Sequence, residues 1–385
     1  MSDIRLHHPQ PMRILLLTTG LKLGGAEQQV AALARQFAAL GHAVAVVSLT
    51  PGSDVALPEA VTVMPLEMRK TPQSMVRALW KLRAFVRKWQ PDIIHAHMVH
   101  ANLLARVLAT TGDMPPVICT AHSAREGGGL RMLGYRLTDR WSRLTTHVSP
   151  QGRQAMIEAG AVSSARIVVV PNGIDIAQFR PDTALRQHAR AELGLQDSTR
   201  LLINVGRLVK EKAQTTLIDA FAQLETDFDT QLLIVGDGPL RGALQQQIRD
   251  RRLTGRIRLT GARSDIPALL NAADLFVLSS DIEGMPLALG EALSCGLPVV
   301  TTDAAGVAEL LGDHGEIVPR GDPAALAAAM RRALTSGLGN ANAQAARRAH
   351  IANRFSLEAI ALEWLACYAS LIGTERTAAS VGTAQ

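Results

Sequence analysis

Apolar residues along the chain gather in short runs bounded by glycine, proline or polar clusters, and between the runs they recur every three or four positions. The runs predict strands buried on both faces, and the recurrent spacing predicts amphipathic helices. The first run, 13–19, leads to Gly20, Gly24 and Gly25, then to a helix-spaced segment 26–40 and a second run 43–49. That is one βαβ unit. Further strands are expected at 92–95 and 117–121, and again at 201–205, 231–235, 257–260, 273–278 and 298–301, with helices between most of them. Alternation of this kind builds parallel sheets covered by helices on both faces. It occurs twice and lapses around 171–197, where VPNGID supplies a turn and the polar stretch after Phe179 has no strand character. The reading is therefore α/β, with two Rossmann-like, doubly wound parallel-sheet domains placed at 1–185 and 186–372. The small, polar tail 373–385 is expected to be disordered.

Length agrees, because 385 residues exceed what a single core usually supports. A cleft between two such domains is the default site. Near the start, His7, His8, Pro9 and Pro11 interrupt any leader-like segment, and the apolar run 14–17 is too short for one. No stretch of about eighteen apolar residues is present to span a bilayer. Cys119, Cys295 and Cys367 are odd in number and far apart, which argues against a disulfide framework or a structural zinc site. A reduced, cytoplasmic setting is expected.

Charge is uneven. Residues 1–180 hold 20 Lys and Arg against 11 Asp and Glu, a net +9, and the remainder nets −3, within a total of +6. Such a basic front half suits a phosphate-bearing partner: nucleic acid, anionic headgroups or a lipid diphosphate. Aromatics are only 3% of residues and are not interleaved with the cations, so no nucleic-acid partner is expected. Between 75 and 89 the segment MVRALWKLRAFVRKW sets Val76, Leu79, Trp80, Leu82, Val86 and Trp89 broadly along one side, among Arg77, Lys81, Arg83, Arg87 and Lys88. It reads either as a core-packed helix with a solvated basic face or as a helix lying on an anionic membrane.

Candidate chemistry sits at strand ends, where open α/β sheets bind ligands. Gly24 and Gly25 open the first helix and can bring backbone N–H groups to a diphosphate, although GLKLGGAEQQ lacks the third glycine and the acid of a nicotinamide site. In NVGRLVKEKA, Arg207 and Lys212 follow a strand and can neutralise a diphosphate leaving group without a metal. VGDGPLR places Gly236, Asp237 and Gly238 before Pro239, read as the first residue of another helix. Glu283 and Glu291 bracket the next strand-to-helix turn, with Glu291 about two turns into the helix, and can accept hydrogen bonds from a sugar and a ribose. His95, His97 and His122 end two strands; alternation is expected to turn His95 inward as a structural residue, with His122 the functional choice. The triplet 227–229, Asp-Phe-Asp, stands before a strand and is read as a solvated turn, so no metal is expected.

Taken together, GGAE (24–27), HAH (95–97), PNGID (171–175), GRLVKEK (206–212), GDGP (236–239) and EGMPLALGEALSCGLPVV (283–300) resemble retaining glycosyltransferases of family 4, over about 13–369. The resemblance implies the GT-B fold, two Rossmann-like domains facing a central cleft, with a C-terminal helix at 356–372 packing back near the first. It implies a nucleotide-diphosphate sugar, UDP- or GDP-linked, held mainly by the second domain, and an acceptor held by the first. By matching positions, Arg207 and Lys212 hold the diphosphate, Glu283 the sugar, Glu291 the ribose, and Gly25 the phosphates across the cleft. His122 corresponds to the histidine beside the transferred sugar. The same motifs bring Gly24, His97, Asn172, Gly236, Gly238, Gly284, Met285, Pro286 and Leu287 to the substrates. One departure is Ala213, where glycine usually follows the lysine. The implied activity is hexosyl transfer with retention, needing no cofactor, to a glycan or polyprenyl-diphosphate-linked acceptor in surface-polysaccharide biosynthesis, on the inner face of the cell membrane. An epimerase of the same fold and a non-catalytic nucleotide-sugar-binding subunit are the alternatives.

Overall fold

The computed structural model describes residues 11–22, 24–123, 128–224, 229–336 and 341–382. The chain forms two compact units, Met1–Gly173 with Leu357–Gln385, and Ile174–Ser356. The first division thus falls earlier than 185/186, because the helix Thr183–Leu193 packs on the helix Ile266–Ala272 of the second unit.

In the first unit, β1 (Arg13–Thr18), β2 (Ala43–Ser48), β3 (Thr62–Pro65), β4 (Ile93–His97), β5 (Val117–Ala121), β6 (Leu144–His147) and β7 (Ile167–Val169) form one sheet. Its order is β3-β2-β1-β4-β5-β6-β7, and every pairing is parallel. In the second, β8 (Arg200–Val205), β9 (Thr230–Val235), β10 (Ile257–Gly261), β11 (Leu275–Leu278), β12 (Val299–Thr302) and β13 (Glu316–Val318) run β10-β9-β8-β11-β12-β13, again parallel. Strand order reverses beside β1/β4 in one sheet and beside β8/β11 in the other. These are the switch points outside which doubly wound sheets bind ligands.

Four strands, β3, β6, β7 and β13, escaped the sequence reading. β6 shows why: it reads LTTH, and Thr145, Thr146 and His147 are all buried. Hydrogen bonds replace apolar contact there, from Arg106 to Thr145 and between Thr120 and Thr146.

The last helix, Leu357–Gly382, belongs to the first unit. Leu357, Ile360, Ala361, Trp364, Leu365 and Tyr368 form a helical stripe buried against Phe37 and Leu16, as the spacing three and four demands. Its bounds reach Gly382, into the segment expected to be disordered. On the other face of the same sheet, Ala78, Leu82 and Val86 anchor the helix Pro72–Trp89, and Ala101, Ala105 and Leu108 anchor the helix Val99–Leu108. Val76 and Trp80, expected on the same side as Leu82 and Val86, are exposed instead, along with Met75. The apolar residues of this helix are split between core and surface.

Candidate active site

The second unit assembles its strand-end loops by backbone bonds before any side chain takes part. Leu208 N donates to Asp237 O and Leu240 N to Leu208 O, which ties the loop after β8 to the loop after β9. Gly236 stands at φ +140°, and a Cβ there would lie 2.0 Å from Gly206 O; at Gly238 a Cβ would lie 2.4 Å from Leu208 O. Close backbone approach therefore accounts for both glycines. The helix that follows begins at Arg241, with Pro239 before it and not as its first residue.

The loop after β11 is tied to the loop after β8 in turn. Asp281 N and Ile282 N both donate to Glu211 O, and Ser279 Oγ donates to Lys212 O. This stitching brings Lys212 Nζ to 2.6 Å from Glu283 Oε1, with Ser280 Oγ donating to the same oxygen at 2.6 Å. Glu283 is buried, with a side chain only 6% exposed, while that of Lys212 is 26% exposed. Ser280 was missed in the sequence; its spacing three residues before Glu283 was the available signal. Arg207 is exposed and forms no ion pair among the described residues. Its cation is not tied to the Lys212–Glu283 pair.

Lys212 is followed by Ala213 at φ +46°, ψ +39°, a left-handed conformation that L side chains resist. Here the departure from glycine has a backbone cost. Gly284, Met285 and Pro286 are buried beside Glu283, and Leu287 opens the helix Leu287–Ser294 with no side-chain cap. Gly306, at φ +75°, lets that loop close, because a Cβ would lie 2.2 Å from Gly284 O. Glu291 is the fifth residue of the helix, little more than one turn in. It is part-exposed as a residue, yet desolvation pushes its carboxyl up to about 7.

In the first unit, Gly24 is the N-cap of the helix Gly25–Ala39, again without a side-chain cap. A Cβ on Gly24 would lie 2.3 Å from Glu27 Oε2, so the carboxylate of the first turn folds over this glycine and complements the helix dipole. Asn172 is buried, and Gly173 beside it packs against the last helix, where a Cβ would lie 2.7 Å from Leu357 Cα.

The histidines correct one expectation. Residues 95 and 97 are two apart on one strand and so share a face; both are buried, not one of the pair. His95 Nδ1 meets Tyr368 Oη at 2.5 Å and its Nε2 meets Thr120 Oγ1 at 2.6 Å. His97 Nδ1 meets His122 Nε2 at 3.1 Å. His97 is enclosed, and so does not itself face solvent. Burial first, and His147 second, push His122 down to about 3, and burial with the His122 charge does the same to His95. These rings are neutral at physiological pH.

Asp229 accepts from Thr199 Oγ1 at the amino edge of β9; the other two members of the Asp-Phe-Asp triplet lie outside the described residues. Among the described residues no group of three His, Cys, Asp or Glu side chains is placed to hold a metal ion. No helix among them is long and apolar enough to cross a membrane.

The chain matches the family model for Glycosyltransferase Family 4 over residues 23–178 and the model for Glycosyl transferases group 1 over residues 199–336. It is 31% identical over 243 residues to the UDP-Gal:alpha-D-GlcNAc-diphosphoundecaprenol alpha-1,3-galactosyltransferase of Escherichia coli, covering 60% of this chain and 62% of that one. It is 29% identical to a glycogen synthase of Mycobacterium tuberculosis, covering 91% of this chain and 92% of that one. Among solved structures, Anabaena Alr3699/HepE in complex with UDP and glucose superposes with a TM-score of 0.80 at 23% identity, over 93% of this chain and 100% of that one. At that identity the likeness speaks to the fold.

Proposed function

The chain belongs to the group 1, family 4 glycosyltransferases, with the two parallel-sheet units of the GT-B fold, and on that footing we propose that it is a retaining hexosyltransferase using a UDP- or GDP-sugar. The observation that carries this reading is the Lys212–Glu283 pair at the β8/β11 switch point, with Ser280 donating to the same carboxylate.

In this reading the second unit holds the donor. Lys212 and Arg207 neutralise the diphosphate as the sugar leaves, replacing the charge a metal ion would supply. Glu283 accepts hydrogen bonds from the sugar, and Glu291 from the ribose. Leu287 and Ala288 N–H groups lie at an uncapped helix N-terminus suited to phosphate. The acceptor hydroxyl attacks from the side the diphosphate leaves, and a phosphate oxygen takes its proton, so configuration is kept. The first unit takes the acceptor, with His122 bonding a sugar hydroxyl. No metal and no further cofactor takes part.

A glycan linked to a polyprenyl diphosphate is the acceptor proposed, for a surface polysaccharide; the Escherichia coli relative is named for a diphosphoundecaprenol substrate. The first unit also offers an anionic membrane a surface. The helix Pro72–Trp89 contains no acidic residue and exposes Trp80 at 57%, and the helix Gly129–Thr138, also without an acid, exposes Leu130 at 87%. In this reading the protein is a peripheral enzyme on the cytoplasmic face.

A panel of nucleotide sugars scored by thermal shift identifies the donor, since a ligand of the folded state raises its apparent stability. Product NMR then reads the anomeric configuration. Retained configuration supports the proposal. An inverted product, or a new sugar isomer formed from donor alone, sinks it, the second outcome identifying an epimerase.

A further inference from the structure

Gln214 opens the helix Gln214–Ala222 and is 1% exposed. Its Nε2 donates to Arg207 O at 3.0 Å, and its Oε1 is enclosed with no hydrogen-bond partner among the described residues. That bond fixes the sense of the amide, because the reverse placement would set two oxygens face to face. Buried polar atoms are ordinarily satisfied, and an apolar side chain of the same length would spare this position its desolvated oxygen. Local stability therefore does not account for a glutamine here. The tie to Arg207 does.

The tie closes a loop that carries both candidate cations. β8 ends at Val205 and the helix begins at Gln214, with Arg207 and Lys212 between them. Within the loop, Val209 N donates to Arg207 O, Lys212 N to Val209 O and Ala213 N to Lys210 O, bonds that shape single turns. Gln214 instead reaches back across the loop to Arg207. Its helix is anchored in the core of the second unit by Leu217, Ile218 and Phe221, so the bond ties an exposed turn to a rigid element. A Cβ on Gly206 would lie 3.7 Å from Lys212 Cδ and 3.9 Å from Gln214 Nε2, so the lysine stem and the amide both lie over that glycine. Arg207 is exposed, and its place is set by the main chain that carries it.

We propose that Gln214 is a positioning residue: by holding the Arg207 carbonyl it sets where the Arg207 guanidinium meets a nucleoside diphosphate. The bond stands on the geometry, while its use rests on the reading that Arg207 and Lys212 neutralise the diphosphate. Gln214 acts through Arg207, and its effect vanishes when that guanidinium is absent.

UDP and GDP are titrated by calorimetry into the full chain, and the tighter of the two serves as the probe for the variants. Gln214→Met keeps the side-chain length and removes the donor, while Arg207 O keeps its bond from Val209 N, so the urea midpoint should hold or rise. Affinity for the probe should fall about 5- to 10-fold, part of the loss of about 10-fold or more expected for Arg207→Ala, which deletes a charged hydrogen-bond donor. In the Arg207→Ala background, Gln214→Met should add little, because the two changes remove one interaction. Wild-type affinity in Gln214→Met overturns the proposal, as does a loss that persists undiminished in the Arg207→Ala background or one that only follows a fall in stability. Unchanged affinity in Arg207→Ala, or a wild-type chain that binds neither diphosphate, overturns the donor-site reading and the proposal with it.

Discussion

Lys212 Nζ stands 2.6 Å from Glu283 Oε1, although the two residues are 71 apart in the chain and follow different strands. The bond joins a mostly buried carboxylate to a lysine whose side chain keeps a quarter of its surface in solvent. Such a pair can hold one carboxylate in place and still present positive charge to an anion.

Lys212→Ala should therefore weaken both stability and transfer. Removing the ammonium leaves a buried carboxylate with Ser280 as its remaining side-chain donor among the described residues, at a cost of about 2 kcal/mol, less than for a fully enclosed pair because solvent reaches the lysine. Transfer should fall by about 100- to 1,000-fold, the usual loss when one donor to a developing anion is deleted. Urea unfolding and initial rates separate the two effects. Full activity in Lys212→Ala would remove the leaving-group role.

Ala213→Gly tests the left-handed turn beside that lysine. Relief of about 1–2 kcal/mol of steric cost is offset in part by about 0.5–1 kcal/mol of added chain entropy in the unfolded state. A net gain of up to about 1.5 kcal/mol is expected, read from the urea midpoint. Ala213→Val should lose stability, since a β-branched residue fits this conformation worst.

Glu291 makes the molecule pH-sensitive. Its carboxyl is raised by burial from 4.5 to about 7, so the folded chain binds the proton more tightly than the unfolded chain does. The resulting stability is fully present below about pH 4.5 and is lost as pH rises through about 7, an order-of-magnitude effect of about 3 kcal/mol. Donor affinity should move the other way, strengthening across about pH 6–8 as the ionised carboxylate becomes available to the ribose. Calorimetric titration at both ends of that window checks this, and Glu291→Gln should flatten both profiles.

Neutralising Arg77, Lys81, Arg87 and Lys88 together should abolish sedimentation with vesicles containing anionic lipid, each cation contributing about 1 kcal/mol near such a surface. These residues are exposed, so the fold should survive. Leu130→Ser with Leu137→Ser should weaken binding at high salt, where apolar insertion outlasts charge. Unchanged sedimentation in both variants would remove the membrane surface from the account.

Local pattern determined the class of this fold and the kinds of residue at its site. Strands such as IIHAH and LFVL are buried along their whole length between helix layers, and that leaves an unbroken run that can be read without coordinates. Arg207, Lys212, Glu283 and Glu291 stood out because glycine-rich turns after such runs mark the ligand-binding edge. What local pattern could not contain was which of these groups meet. The Lys212–Glu283 bond depends on β8 and β11 being neighbours across a reversal of strand order, a property of the crossovers and not of either segment. β6 stayed hidden because its threonines are buried by hydrogen bonds to distant partners. The fate of His97 was decided farther away still: Trp364 and Tyr368, on a helix that returns from the other end of the chain, pack against His95 and close over that face of the sheet. Periodicity records which side of an element is apolar, whereas the partner that covers it is chosen only when the whole chain packs.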